Sequence, residues 1–361
     1  VGWFDCIIFA LLPLGVLTAV VSAIRIGGPS WLKAIIGRAR ENRAIAELEV
    51  MSSTSHEVCE LWNGVGIVRT IGRPHIAQII YLEEYSDNVK TCGLYRLGFL
   101  EDEETHVFHS RATPLNLQEE EIAPNISLNL HGLANSKDLS FATLIGVVVQ
   151  AGILIFAGYV SYDHTFEDGL PSAEETTKGH AFPLFAVGTF FLSLGMLFCA
   201  QIVDESTEER EYVHPEGSGK KLGARILWVQ RKENVGDQTF DAYVTFGRNS
   251  GADDTLDRIL TSRRAFDKRV DDTASDNSGG KKLFATRSEL ITILGTTFGL
   301  IGFILQFQGL RSMNWLVSIA QLCGIFVMTA LRAWLRRGMI AVPISARVLD
   351  LHELDWLSVT L

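Results

Sequence analysis

The sequence predicts an α-helical integral membrane protein with five transmembrane helices and a split cytosolic α+β domain. Composition gives the first indication. Of the 361 residues, 47% are hydrophobic and only 20% are charged, against about 25% charged residues in soluble domains. The second indication is that the apolar residues are gathered into five long blocks, and the third is that two long polar segments lie between those blocks.

Each apolar block reaches the length of about 17–25 residues that crosses the hydrocarbon core of a bilayer. The predicted spans are 6–24, 141–160, 182–203, 290–307 and 315–335. The membrane part would comprise a first transmembrane helix (1–24), two spans joined by an acidic outer loop (140–203) and two further spans (290–335). The first cytosolic segment (25–139) would contain an interfacial helix and a β-rich part. The second cytosolic segment (204–289) would contain a β-hairpin, a helix and a mobile linker, and a cytosolic tail (336–361) would follow the last span.

The distribution of charge predicts an N-terminus that is outside or lumenal and a C-terminus that is cytosolic. Asp5 precedes the first block and basic residues from Arg25 onward follow it, which is the reverse of a secretory signal peptide. With five spans, 30 of the 32 Lys and Arg residues fall on the face that carries the C-terminus. The 161–181 loop is acidic, with Lys178 as its one basic residue. This asymmetry follows the positive-inside rule.

The first polar segment predicts a helix that begins near Gly28-Pro29-Ser30-Trp31, because Pro is favoured in the first turn of a helix. Its apolar face would carry Leu32, Ile35, Ile36, Ala39 and Ala46, with basic residues elsewhere on its surface. Two interpretations stay open. The helix lies on anionic lipid of the inner leaflet, or it packs against its own domain.

Short β-like runs follow, separated by Gly, Pro, Asn and Asp. The predicted strands are 65–70, 76–81, 93–100, 105–109, 126–130, 225–232 and 240–246. A hairpin turn is expected at 233–237, a helix at 255–270 and a mobile polar linker at 271–280. Neither polar segment has enough apolar residues for a core of its own, so we expect strands of both to join in one domain.

No motif in the sequence carries a catalytic, cofactor-binding or metal-binding prediction. The run Gly217-Ser218-Gly219-Lys220-Lys221 lacks the spacing of a phosphate loop. His106 and His109 would point to opposite faces of a strand. The five cysteines show no CxxC spacing, which argues against a zinc module or a disulfide framework. A net charge of −10 disfavours nucleic acid as a partner.

The predicted spans contain few polar residues. Gln150, Gln306 and Gln321 are expected to form interhelical hydrogen bonds. In an oligomeric channel, Gln150 or Gln321 would line a shared pore. Gly295 and Gly299, with Gly302 one turn on, predict a face on which two helices approach closely, and we expect the partner to be another span of the same chain.

Several motifs resemble the membrane-anchored N-terminal region of large predicted fungal proteins that often continue into ankyrin repeats. The similarity is carried by Pro13-Leu14-Gly15, 17–25, 28–32, 36–39, Ser52-Ser53-Thr54-Ser55, 58–64, Gly72-Arg73-Pro74, Gly236-Asp237-Gln238 and Phe240-Asp241-Ala242. No activity is established for that group, so the resemblance implies no functional residue.

Together these patterns predict a multi-pass membrane anchor or signalling scaffold that presents a cytosolic interaction domain, without catalytic activity. Its expected partners are the lipid bilayer, including anionic inner-leaflet lipid, and cytosolic proteins, and it could form a homo-oligomer. The alternative is a subunit of an oligomeric ion channel or transporter. A membrane-bound enzyme is the third possibility.

Overall fold

In the computed structural model, the protein consists of two compact units, each built from three separate stretches of the chain. Unit 1 comprises 1–46, 134–206 and 268–338, and unit 2 comprises 47–133, 207–267 and 339–361. Within these units the structure describes residues 3–11, 15–55, 57–72, 76–82, 93–96, 125–130, 136–162, 175–212, 224–245, 256, 259–264, 278–337, 345–349 and 352–360.

Unit 1 contains four helices that are long and apolar enough to cross a membrane. They are α6 (Ser136–Tyr162), α7 (Glu175–Glu205), α8 (Ser278–Ser312) and α9 (Trp315–Leu335). These helices coincide with four of the predicted spans and indicate a multi-pass membrane protein. Each of the first three extends the predicted apolar core by polar turns, whereas α9 has the predicted bounds.

The prediction of five spans is confirmed only for four, and a fifth span at the first apolar block is not shown among the described residues. The block forms two short helices, α1 (Trp3–Leu11) and α2 (Val16–Gly27). Gly15 precedes α2 with a φ of 82°, a conformation that L-residues with a side chain rarely adopt. Pro13, in the interval between the two helices, has no backbone N–H and disfavours helix in the residue before it. The sequence thus interrupts the block near its middle.

Both short helices run between the middle of the bundle and one end of it. We call this end the basic end, because Lys137, Arg287 and Arg336 lie there, at the ends of the apolar spans of α6, α8 and α9; α7 ends there at Glu205. Ile8 of α1 packs against Ala142 and Leu335 close to that end. A Cβ on Gly146 would lie 3.0 Å from Leu11 at the other end of α1. Gly146 is nine residues beyond Lys137, or about 14 Å along the helix.

The second short helix returns toward the same end. Val16 packs with Leu192 and Met196 in the middle of α7. The carbonyl of Gly27, the last residue of α2, accepts a hydrogen bond from Ser288 Oγ at 3.4 Å, beside Arg287. In unit 1, α1 therefore begins at the basic end of the bundle, and α2 ends there.

The antiparallel helices α7 and α8 approach each other at glycines. A Cβ on Gly195 would lie 2.2 Å from the backbone nitrogen of Gly299, and one on Gly302 would lie 2.2 Å from that of Leu192. A Cβ on Gly188 would lie 2.3 Å from the backbone nitrogen of Gln306, and one on Gly309 would lie 2.5 Å from that of Phe185. The prediction of close intramolecular packing at Gly295, Gly299 and Gly302 is confirmed.

The other long pair, α6 and α9, is also antiparallel. Ala142 near the start of α6 packs with Met328 near the end of α9. Ala157 near the end of α6 packs with Val317 near the start of α9. Helix α1 packs against both α6 and α7, so it joins the two pairs in the half of the bundle next to the basic end.

The predicted interfacial helix is shorter than expected and is broken. The structure has α3 (Ser30–Ile35), then a turn region, then α4 (Arg43–Val50), which continues into unit 2. Leu32 of α3 packs with Ile24 and Cys199 of the bundle, whereas Trp31 and Ile35 are exposed.

Unit 2 is an α+β unit of small antiparallel sheets, as predicted. The strands are β1 (Val58–Trp62), β2 (Ile67–Ile71), β3 (Ala77–Leu82), β4 (Gly93–Arg96), β5 (Thr207–Tyr212), β6 (Ala224–Val229), β7 (Glu233–Val235), β8 (Gln238–Phe240), β9 (Tyr243–Thr245), β10 (Ile259–Arg264) and β11 (Ser345–Arg347). Five of them form a sheet in the order β11-β9-β6-β3-β4, and the pairs β1-β2, β5-β10 and β7-β8 form smaller ones. Two short helices complete the unit, α5 (Ser127–Leu130) and α10 (Glu353–Thr360).

Strands from both polar segments and the tail meet in the five-stranded sheet. Ile80 of β3 pairs with Ile226 of β6, and Thr245 of β9 pairs with Ser345 of β11. The core on one face of the sheet contains Trp62 and Trp228 together with Ile80, Ile126 and Ile226. The expectation that both segments build one domain is confirmed.

Several predicted elements of unit 2 are wrong. The predicted strand at 126–130 is helix α5, and the predicted helix at 255–270 contains strand β10. Its residues Ile259–Arg264 pair with the charged strand β5, which periodicity alone did not indicate. The turn predicted at 233–237 joins β7 to β8 instead of β6 to β9. The predicted strand at 105–109, the end of the one at 93–100 and the linker at 271–277 lie outside the described residues, and 278–280 begin α8.

Candidate functional site

A buried ion pair connects distant parts of unit 2. Arg264 Nη1 of β10 lies 3.0 Å from Glu47 Oε2 of α4, with side-chain exposures of 9% and 0%. Ser55 Oγ donates to the same carboxylate oxygen at 3.0 Å. Glu57, which is half exposed, lies 3.7 Å from the same Nη1. The pair thus ties α4 to the β5-β10 ribbon across 217 residues of sequence.

A second buried carboxylate, Glu60 of β1, is held by two hydrogen bonds and one ion pair. The backbone N–H of Ser127 and its hydroxyl donate to the two carboxylate oxygens at 2.8 and 3.1 Å. Arg69 Nε lies 3.5 Å from Glu60 Oε1. Burial raises the pKa of the Glu60 carboxyl, and the Ser127 N–H and the charge of Arg69 oppose that rise.

Arg69 of β2 also caps the end of helix α4. Its guanidinium donates to the backbone carbonyls of Leu48 at 2.9 Å and Ser53 at 2.6 Å, and also to those of Glu47 and Met51. The last carbonyls of a helix lack intrahelical partners, and a cation there is favourable. These contacts indicate that the buried charges of unit 2 are structural, because they hold helix α4 and helix α5 against the strands.

The raised pKa of Glu60 predicts a pH-dependent contribution to the stability of unit 2. A carboxyl whose pKa is higher in the folded state contributes most stability below its unfolded pKa, and this contribution is lost as the pH rises through the folded value. We therefore expect the stability of Glu60→Gln relative to the wild-type protein to increase as the pH is raised from about 4 to 8. Hydrogen-exchange protection of β1 amides, compared between the two proteins at each pH, measures it. A relative stability that is independent of pH, or that falls, would contradict the expectation.

A second group of charges lies at the basic end of unit 1. Arg25, at the end of α2, donates from Nε to both oxygens of Glu41 at 3.0 and 3.1 Å. Both side chains are more than nine-tenths buried. The hydrogen bonds from Arg25 lower the pKa of the Glu41 carboxyl. This pair holds the turn region after α3, where Arg38 and Arg40 are exposed.

The three glutamines of the predicted spans are all buried within the chain. Gln306 Nε2 donates to Thr189 Oγ1 at 3.0 Å, which joins α8 to α7 as expected for an interhelical hydrogen bond. Gln150 and Gln321 are 6% and 8% exposed.

The other candidate sites give no support for catalysis or metal binding. Among the residues that the structure describes, no group of His, Cys, Asp and Glu could hold a metal ion. His106, His109 and the glycine-rich run 217–221 lie outside the described residues, as does Cys92. Cys6, Cys59 and Cys199 are buried free thiols, and Cys323 is exposed.

No local pattern in the sequence indicates the buried charges of unit 2. Glu47 and Arg264 belong to unremarkable charged stretches, and only the tertiary fold brings them together. Comparison with known proteins finds no match among protein families, curated proteins or solved structures.

Proposed function

We propose that the protein is a multi-pass membrane anchor or signalling scaffold that holds a folded cytosolic interaction domain at a membrane. The observation that carries this proposal is the way in which unit 2 is assembled from separate segments of the chain. Three chain segments build it, and the spanning helices interrupt the chain between them. Such a domain is tied to the bundle by several covalent connections, so it stays at the membrane.

The orientation that we propose has four spans and a helical hairpin, α1–α2, that enters and leaves by the cytosolic face. The basic end carries Lys137 and Arg287 at the starts of α6 and α8 and Arg336 at the end of α9, and basic residues near span ends favour the cytosol. Because α1 begins at that end, the N-terminus is cytosolic in this proposal, unlike in the five-span prediction.

Anionic lipid is the membrane partner that the basic end favours. Trp31 and Ile35 are exposed on α3, and Arg38 and Arg40 are exposed in the turn that follows. Exposed aromatic and aliphatic side chains beside basic ones are typical of segments that lie in the headgroup region. This supports the interfacial interpretation of α3.

A proximity-labelling experiment tests both the scaffold and the orientation. An engineered peroxidase is fused to the N-terminus or to the C-terminus of the full chain in producing cells. We expect both fusions to label cytosolic proteins. We also expect Val65→Asp, in the exposed turn between β1 and β2, to remove part of the labelled set without changing the amount of protein in the membrane.

The matched control is Val65→Thr, which keeps the shape of the side chain without adding a charge. Lumenal or extracellular labelling by the N-terminal fusion would overturn the proposed topology. Identical labelled sets from the wild-type chain and Val65→Asp, together with ionic current through purified protein in planar bilayers, would overturn the scaffold in favour of the channel.

A further inference from the structure

The side chain of Arg332, in the last turn of α9, reaches across to the last turn of α1. Its Nη2 donates to the backbone carbonyl of Ile8 at 2.7 Å and to that of Phe9 at 3.3 Å. The guanidinium carbon also lies 5.8 Å from the centre of the Phe9 ring, which is within the range of a cation–π contact. Arg332 therefore contacts α1 through both its hydrogen bonds and its charge.

The two carbonyls belong to the part of α1 that has no donors of its own. The helix ends at Leu11, so the carbonyls of its last four residues have no partner within it. In a longer helix the Phe9 carbonyl would accept from the backbone N–H of residue 13, but Pro13 has none. A cation at the end of a helix is favourable. Arg332 thus supplies the donors that Pro13 and the end of the helix leave missing.

A membrane makes this contact important for the position of α1. Ile8 and Ala10 pack against apolar side chains of α6 and α7, but lipid tails are as apolar as those side chains and can take their place. Lipid tails cannot replace the hydrogen bonds, because the hydrocarbon core offers no donors to a carbonyl. We therefore expect the bonds from Arg332, more than the apolar packing, to hold α1 against the spans.

Helix α1 occupies space between the two helix pairs. A Cβ on Gly146 of α6 would lie 3.0 Å from Leu11 and 3.0 Å from Met328 of α9. One residue before Leu11, Ala10 packs with Met196 of α7. Removal of α1 from these contacts would leave a crevice between the α6–α9 pair and α7, in the half of the bundle next to the basic end.

We propose that α1 is a detachable strap, which Arg332 holds between the two helix pairs, and that release of α1 opens the crevice from the basic end. The proposal rests on the arrangement of four spans and an α1–α2 hairpin proposed above. Helix α2 stays in place on release, because other contacts fix its end: Arg25 binds Glu41, and the Gly27 carbonyl accepts from Ser288. The strap is therefore α1 alone.

Alkylation of the native cysteines by N-ethylmaleimide tests the strap in the full chain, embedded in lipid nanodiscs. Cys6 of α1 and Cys199 of α7 are 4% and 1% exposed, so both should react slowly in the wild-type protein. In Arg332→Met we expect Cys6 to react at least tenfold faster, because α1 leaves the bundle. The rate of Cys199 should not change, because Cys199 packs with Val20 of α2. Mass spectrometry of the peptides separates the two rates.

Arg336→Met is the matched control, because it removes an exposed positive charge from the same end of α9. It should leave both rates unchanged. If Arg332→Met yields no folded protein, Arg332→Lys takes its place. This variant keeps the charge but lacks the planar fork of donors, and it should raise the Cys6 rate at least threefold.

A Cys6 rate that substitution of Arg332 leaves unchanged would overturn the strap. An equal rise at Cys199 would overturn it too, because the whole bundle would then be opening. Fast alkylation of Cys6 in the wild-type chain would overturn both the strap and the arrangement of α1 and α2 on which it rests.

Discussion

Gly302→Ala is expected to destabilise the bundle by about 3 kcal/mol or more. The added Cβ would lie 2.2 Å from the backbone nitrogen of Leu192 and 2.7 Å from its Cα. A side chain could rotate away from such a clash, but a backbone cannot, so α7 and α8 must move apart. Their separation would also strain the hydrogen bond between Gln306 and Thr189. The free energy of unfolding in mixed micelles, measured by titration with a denaturing detergent, reports this effect.

Gly152→Ala is the matched control, because the same methyl group is added to a spanning helix at a position with no other group within 4 Å. We expect a change of no more than about 1 kcal/mol, in the stabilising direction, since Ala is the better helix former. Equal effects of the two substitutions would show that helix propensity governs the result and not the contact of the helices.

Arg264→Met is expected to destabilise unit 2 by about 3–5 kcal/mol, because it leaves the Glu47 carboxylate buried without its main charge partner. The Glu47 side chain is fully buried, so water cannot replace the guanidinium. Hydrogen exchange measures the loss as reduced protection of the amides in β5 and β10.

Arg347→Met is the matched control for Arg264→Met, because it also removes one guanidinium from an ion pair. Arg347 lies 2.9 Å from Asp241, but its side chain is 59% exposed, and exposed ion pairs contribute about 0–1 kcal/mol. We expect protection of the β9-β11 pair to change little. A small effect of Arg264→Met, comparable with that of Arg347→Met, would mean that other contacts hold α4 to β10.

The four long spans could be predicted from sequence because length and hydropathy alone define them. The bounds of α9 were predicted correctly because polar residues flank its apolar run directly. The two short helices of the first block could not be predicted in this way, because hydropathy does not detect an interruption of a helix. Pro13 and Gly15 lie inside an apolar run of sufficient length, and only their backbone preferences indicate the break.

In unit 2 the alternation of apolar residues found the central strands β3 and β6 but missed β5 and β10. The sequence of β5, Thr207–Tyr212, is highly charged, and Arg263 of β10 lies opposite Glu208 of β5 in the pairing register. Cross-strand charge pairing of this kind is formed between segments about 50 residues apart, so a local pattern does not reveal it. The resemblance to the fungal group, and the ankyrin repeats that it implies, stay predictions.

The five-stranded sheet also imposes an order on biosynthesis. Strand β3 begins at Ala77, and the sheet is complete only when Ser345 of β11 is in place. At about 5–20 residues per second, the roughly 270 intervening residues take about 13–54 s to synthesise. During this time all four spans must insert. Strands β4 and β6 pair with β3, so the edge that stays open until β11 is made is that of β9. An unpaired strand edge is prone to pair with another chain, so cells that make this protein must shield the edge of β9 until β11 is in place.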